Sequence, residues 1–179
     1  MSGVLLSSSR IAFRPLTLAD VGQEYVDWLC DPEVSRFLEA RHVRSTLAGC
    51  REYVAAANAN DKQFLMGMFD LATSKHIGNI KIGLIDYQYM SGDLSLFIGD
   101  KTFWRRGYAG EAIQRITGWG FEQLKLEKIG AGCYENNTAS LRAFLKSGYA
   151  IEGFFRKQVR YEGRRIGVIR VGITAHDVE

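Results

Sequence analysis

The segment from Asp93 to Leu124 constrains the fold of this chain more than any other. Its first part, DLSLFIG, alternates Asp93, Ser95 and Phe97 with Leu94, Leu96 and Ile98, the period of a strand that keeps polar atoms on one face. Its last part sets Ala109, Ile113, Ile116, Gly120, Phe121 and Leu124 at helical spacing, which predicts a helix over Tyr108 to Leu124 with Gly107 at its start. Between them lies WRRGYAGEA. A helix N-terminus already carries roughly half a positive charge, so Arg105 and Arg106 add to a field that an anion would relieve. Glycine in such a loop lets backbone N–H groups approach a ligand closely, and a phosphate or pyrophosphate would satisfy the amides, the dipole and both arginines. The plainer alternative leaves the two arginines solvated on an exposed loop. No Gly-Lys-Ser/Thr follows the glycines and no GxGxxG is present, so the segment is neither a Walker loop nor a dinucleotide fingerprint.

The rest of the chain supplies alternating short elements without a repeat, a low-complexity tract or a visible linker. Arg10 to Arg14 reads as a strand. Thr17 to Asp20 has the form of a capping box, which predicts a helix carrying Val21, Tyr25, Trp28 and Leu29 on one face. In DPEVSRFL, Asp31 as cap and Pro32 at the first position predict a second short helix, and Thr46 to Ala57 a third. Strands are expected over Phe64 to Phe69 and Ile77 to Ile85, joined by the turn residues of DLATSKH. A further strand is expected over Lys128 to Tyr134. ENNTASLRAFLKSGY then predicts a capped helix with Leu141, Phe144 and Leu145 on one face, ending at Gly148 in a left-handed cap.

With 179 residues, 46% of them hydrophobic, the chain suits one domain over residues 1–179 with a substantial core. Three cysteines, Cys30, Cys50 and Cys133, form no close pair, which points away from a disulfide framework or zinc site and toward a reducing cytoplasm. His42, His76 and His176 are mutually isolated, so no metal is expected. The start of the chain has only the brief apolar run Val4-Leu5-Leu6, and nothing later approaches the roughly 20 apolar residues of a membrane span. A net charge of +3 favours anionic ligands without demanding nucleic acid.

Taken together, RRGYAGEA and NNTASLRAFLKSGY resemble the cofactor motifs of the GNAT family of N-acetyltransferases, over a span from about Arg10 to Ile173. GYAGEAI and IEGFFRKQVRYEGRR look more narrowly like the branch that acetylates ribosomal-protein N-termini. The resemblance implies an α/β fold, α+β in the strict sense, with a mixed and mostly antiparallel sheet flanked by helices and central strands splayed around acetyl-coenzyme A. It implies that Phe97, Ile98 and Gly99 pair through their backbones with the pantetheine arm. Arg105, Arg106, Gly107, Ala109 and Gly110 would cradle the pyrophosphate. Asn137 would bond the pantetheine side, with Ser140 and Phe144 beside the sulfur. Two departures stand out. Trp104 replaces the Gln or Arg that commonly opens the loop, and Phe144 replaces a Tyr that in many members protonates the departing thiolate. The ribosomal-protein branch points to Ser140 for that role; the same hydroxyl also reads as a helix cap.

An amine attacking a thioester needs its proton removed, and Asp93 is the candidate base because it opens the central strand on the face of Ser95 and Phe97. Glu152 is the second candidate. The first helices cover the amine side in this family, which makes Trp28, Asp31, Arg36 and Arg41 candidate walls of the acceptor pocket; for Trp28, core packing is the alternative. Three function classes follow. The first is an acetyltransferase for a protein N-terminus or a small amine such as an amino sugar, monomeric or homodimeric, without nucleic-acid or membrane partners. The second is an acyl-coenzyme A binding module without turnover. The third is a nucleic-acid binder built on RKQVRYEGRR, a segment that reads more simply as a hairpin turning at Glu162-Gly163.

Overall fold

The computed structural model describes residues 6–178. Val4 and Leu5 of the apolar run lie outside the described residues. In chain order the elements are β1 (Leu6–Ser7), β2 (Ile11–Pro15), α1 (Gln23–Cys30), α2 (Leu47–Asn58), β3 (Phe64–Asp70), β4 (His76–Asp86), β5 (Ser91–Ile98), α3 (Tyr108–Leu124), β6 (Lys128–Tyr134), α4 (Thr138–Lys146), β7 (Ala150–Tyr161) and β8 (Arg164–Thr174). The eight strands make one sheet in the order β1-β2-β3-β4-β5-β6-β8-β7. Every pairing is antiparallel except β5 with β6. This is the mixed, mostly antiparallel α/β sheet that the motifs implied.

That single parallel pairing is short. β5 and β6 align only at Ser91 with Lys128, Gly92 with Ile129 and Asp93 with Gly130. Beyond Asp93 the strands part, while β5 stays on β4 and β6 stays on β8 along its whole length. The result is a V-shaped gap with Asp93 at its vertex. One side of the sheet buries Leu94, Ile129, Ala131 and Cys133 against Ala112, Ile113 and Ile116 of α3 and Phe144 of α4. On the other side Leu16, Val21, Tyr25, Trp28 and Val54 form a second core against which Phe97 packs. The alternation of DLSLFIG thus divides β5 between two cores, as its period requires.

Two local expectations change. The Thr17–Asp20 capping box forms, yet it closes only a 3-10 turn at Leu18–Asp20, and α1 begins afresh at Gln23 behind Gly22. Asp20 is held from outside the box by Arg14, at 2.6 and 2.7 Å, and Val21 turns out of helical geometry to fill the second core. DPEVSRFL likewise gives no α-helix: 3-10 turns occupy Ser35–Phe37 and Glu39–His42, broken where Leu38 adopts an extended backbone. RKQVRYEGRR forms the simple hairpin, with Glu162 and Gly163 both at positive φ (47° and 80°), the requirement of a tight two-residue turn.

Candidate active site

The loop before α3 has the shape its glycines suggested. Gly107 takes φ 85° as the residue ahead of the helix, and Arg105 sits at φ 58°. The first helical bond runs from Glu111 N–H to the Gly107 carbonyl at 3.1 Å, so the amides of Tyr108, Ala109 and Gly110 precede any helical acceptor. Arg105 and Arg106 are exposed, and neither joins an ion pair among the described residues. A third arginine, which the sequence did not single out, braces this loop. Arg10 bonds the Arg106 carbonyl through Nη1 at 2.9 Å, pairs with Glu111 at 2.6 Å and lies over the Tyr108 ring. Its partner stands 101 residues away, beyond the reach of any local signal.

On β5 the ladder decides which backbone groups face the gap. Gly99 N–H bonds the Ile77 carbonyl at 2.8 Å, so by antiparallel alternation Phe97 also turns its backbone to β4, while Leu96 and Ile98 turn theirs toward β6. The Ile98 carbonyl already accepts from Trp104 Nε1 at 2.8 Å. Of the expected trio, Ile98 therefore offers its N–H, Phe97 and Gly99 are committed to β4, and Leu96 joins as a residue the sequence reasoning missed. Trp104, the departure from the family pattern, is a clamp on β5.

Across the gap, Asn137 Oδ1 accepts from Ser140 N–H at 3.3 Å and is the cap of α4. Ser140 is thus the capped residue rather than the cap. Its Oγ lies 3.5 Å from Cys133 Sγ, whose thiol burial pushes upward in pKa against the opposing hydrogen bond. Next to Asn137, the buried Oδ1 of Asn136 has no hydrogen-bond partner among the described residues. Phe144 is buried in the α3 core with its ring edge-on to Tyr149, rather than free to line a channel. Tyr149 cannot replace the missing phenol, because its hydroxyl is buried against Thr117 at 2.8 Å and burial raises its pKa well above the ordinary value.

Asp93, at the vertex, meets Arg170 through both oxygens at 2.6 and 3.3 Å. Gly130 beneath them has no room for a side chain, since a Cβ would lie 2.6 Å from Asp93 Oδ1. Glu152, ion-paired with Lys128 at 2.6 Å, shares with Asp93 and Arg170 the wall of a cavity of about 290 Å³. The four expected acceptor-side residues divide. Trp28 belongs to the second core and lies so close to Gly99 that a Cβ there would stand 2.1 Å from the indole. Asp31 is held by Lys101 at 2.7 Å, which with Glu33 N–H keeps its carboxyl below the usual pKa range. Arg36 and Arg41 instead line a cavity of about 430 Å³ between the 29–45 segment and the hairpin turn. Arg41 donates to Tyr134 Oη at 2.9 Å, and Tyr134 ends β6, so this cavity adjoins the open end of the gap.

Residues 10–150 match the family model of the acetyltransferase (GNAT) domain. The chain belongs to the GNAT family. It is an acyltransferase that uses acetyl-coenzyme A. A curated relative from Bacillus licheniformis, named uncharacterized N-acetyltransferase p20, is 26% identical over 160 residues, covering 86% of this chain and 89% of that protein. The spermidine N-acetyltransferase of Vibrio cholerae, solved with CoA and spermine, is 18% identical and superposes with a TM-score of 0.85 over 94% of this chain and 98% of its own. A Vibrio cholerae structure described as a "putative ribosomal-protein-serine acetyltransferase" is 20% identical, with a TM-score of 0.74 over 94% and 95% of the two chains. In this GNAT chain the open amides of α3, the two unpaired arginines and the orphaned Asn136 oxygen fit a cosubstrate carrying a pyrophosphate and amide groups. Among the described residues no helix is long and apolar enough to cross a membrane.

Proposed function

We propose that residues 1–179 act as one N-acetyltransferase domain whose acceptor is a small primary amine bound in the cavity of Arg36 and Arg41. The observation that carries this is the V-shaped gap, with the amide end of α3 at the cosubstrate side and an open cleft of small-molecule size at its open end. In this reading Arg105, Arg106 and the amides of Gly107, Ala109 and Gly110 hold the pyrophosphate. The backbones of Leu96 and Ile98, together with Asn136, hold the pantetheine amides.

The chemistry asks for one new bond and one proton taken up. The amine nitrogen bonds the acetyl carbon, the C–S bond breaks, nitrogen loses a proton and sulfur leaves as thiol. In this reading Asp93, with Glu152 as the second candidate, receives the proton directly or through water once the amine stands at the vertex. Ser140, half-buried on the first turn of α4, is the hydroxyl placed to donate toward sulfur. A second reading, transfer to a ribosomal-protein N-terminus, is supported by GYAGEAI and the hairpin sequence together with the likeness to the Vibrio cholerae ribosomal-protein-serine enzyme.

Thiol release from acetyl-coenzyme A with a panel of amino sugars, amino acids, polyamines and N-terminal peptides tests the proposal. Release with a small amine is the expected result, and it should fall together with coenzyme A affinity in the Arg105→Ala/Arg106→Ala double variant, by about 1.5–3 kcal/mol per lost charge-assisted bond. Release with peptides alone would transfer the case to the second reading.

A further inference from the structure

The cavity at the open end of β6 carries a charge that acetyl transfer by itself does not require. Arg36, Arg41 and Arg44 line it, and Glu162 is the one carboxylate in its wall. Proteins usually orient an arginine with a carboxylate, which also cancels its charge. Here tyrosine hydroxyls do the orienting. Arg36 donates from Nε to Tyr161 Oη at 2.7 Å, with Glu162 and Glu33 acting on it only through space. Arg41 donates to Tyr134 Oη and to the Leu38 carbonyl at 2.7 Å, and it is ion-paired at 3.7 Å with Glu39, which also accepts from Tyr134 Oη. Phe37 stacks on Tyr161 at 5.7 Å and stands edge-on to Tyr134 at 6.1 Å, so the two phenols are themselves fixed. Arg44 is exposed and makes no hydrogen bond or ion pair among the described residues.

The consequence is that Arg36 and Arg44, which join no ion pair among the described residues, keep most of their charge uncancelled, while Arg41 is paired with Glu39. Both Nη groups of Arg36 remain free, the paired edge with which arginine grips a carboxylate or phosphate. In a concave site such a field draws anions in and turns cations away. We propose that the acceptor is an anionic amine, a small molecule whose primary amine is carried on a skeleton that also bears a carboxylate or phosphate. Arg36 and Arg44 grip the anion, and the amine points along Tyr134 into the gap. The proposal rests on the acetyl-transfer reading of this site and names its substrate class. It separates this chain from the spermidine enzyme that shares its fold, because a polyamine would set several positive charges against Arg36 and Arg44.

Two matched pairs and one cation decide the matter, by calorimetric titration of the protein saturated with coenzyme A. Glucosamine 6-phosphate is paired with glucosamine, phenylalanine with phenylalanine amide, and spermidine stands alone. The expected result is that at least one member bearing the phosphate or carboxylate binds ~10- to 100-fold tighter than its partner without that group, and which pair shows the gap tells phosphate from carboxylate. Arg36→Gln/Arg44→Gln should close that gap while leaving coenzyme A affinity within about two-fold. Should the double variant fail to fold, Arg44→Gln alone, at an exposed side chain, should still narrow the gap. Equal binding within both pairs, tightest binding of spermidine, or a gap that survives the variants overturns the anionic-amine assignment. A protein that does not bind coenzyme A at all overturns the underlying acetyl-transfer reading instead, and is distinguished by that first titration.

Discussion

Arg10 and Glu111 offer a quantitative test of how the α3 end is kept electropositive. Glu111 sits in the first turn of the helix, where a carboxylate would repel a bound pyrophosphate. Burial pushes its pKa upward, but Ser8 Oγ and the Arg10 backbone at 2.8 Å each, with Arg10 Nε at 2.7 Å, outweigh burial and hold the carboxyl below the usual range. The charge is therefore present, and Arg10 cancels it. Arg10→Met removes the guanidinium while keeping an apolar stem over the Tyr108 ring. The freed carboxylate then stands within about one helical turn of the open amides, roughly 7 Å. At an effective dielectric of about 20 to 40, one charge opposing another at that range costs ~1.2 to 2.4 kcal/mol. Coenzyme A should accordingly bind about 8- to 55-fold more weakly in low-salt calorimetry. The fold should lose only about 1 kcal/mol, because the Arg10 side chain is 43% exposed. Adding Glu111→Gln keeps an oxygen for Ser8 and removes the charge, so most of the affinity should return. Wild-type affinity in Arg10→Met, or no recovery in the double variant, would refute the electrostatic account and leave loop geometry as the cause.

Ser140→Ala should lower kcat by roughly ten- to a thousand-fold with coenzyme A affinity and melting temperature nearly kept, since Asn137 carries the cap; unchanged turnover removes Ser140 from the mechanism. The Arg14 guanidinium beside Asp20 holds that carboxyl well below its ordinary range, so its stabilisation is complete above about pH 4 and fades as pH falls toward the depressed folded value. Asp20→Asn should therefore cost about 1–3 kcal/mol in denaturant titrations at pH 7 and progressively less below pH 4, and a cost that does not shrink in acid contradicts the pairing. Gly99→Ala should displace the Trp28 indole, lowering stability by about 1–3 kcal/mol and shifting tryptophan fluorescence; an unaltered melting curve would show that the second core yields freely there.

The sequence by itself determined what a few neighbouring residues can enforce. α3 begins and ends at Tyr108 and Leu124 and β6 at Lys128 and Tyr134, as period and glycine placement required. The Asn137 cap, the left-handed Gly148 and the Glu162-Gly163 turn follow from chemistry within one turn of chain. Tertiary structure decided everything that depended on which distant group a side chain would find. Asp93 meets Arg170 across 77 residues, Arg41 meets Tyr134 across 93, Arg10 meets Glu111 across 101, and Arg36 meets Tyr161 across 125. The same holds for the helix expected after Thr17, where a true local signal lost to Arg14 and to the burial of Val21. Propensity and capping are worth about 1 kcal/mol each, whereas a buried apolar side chain or a half-buried ion pair is worth as much or more and acts without regard to separation along the chain. The glycine loop ahead of α3 was therefore legible in the sequence. The cavity of Arg36 and Arg41, assembled from the 29–45 segment and a hairpin more than a hundred residues later, existed only once the sheet had brought its walls together.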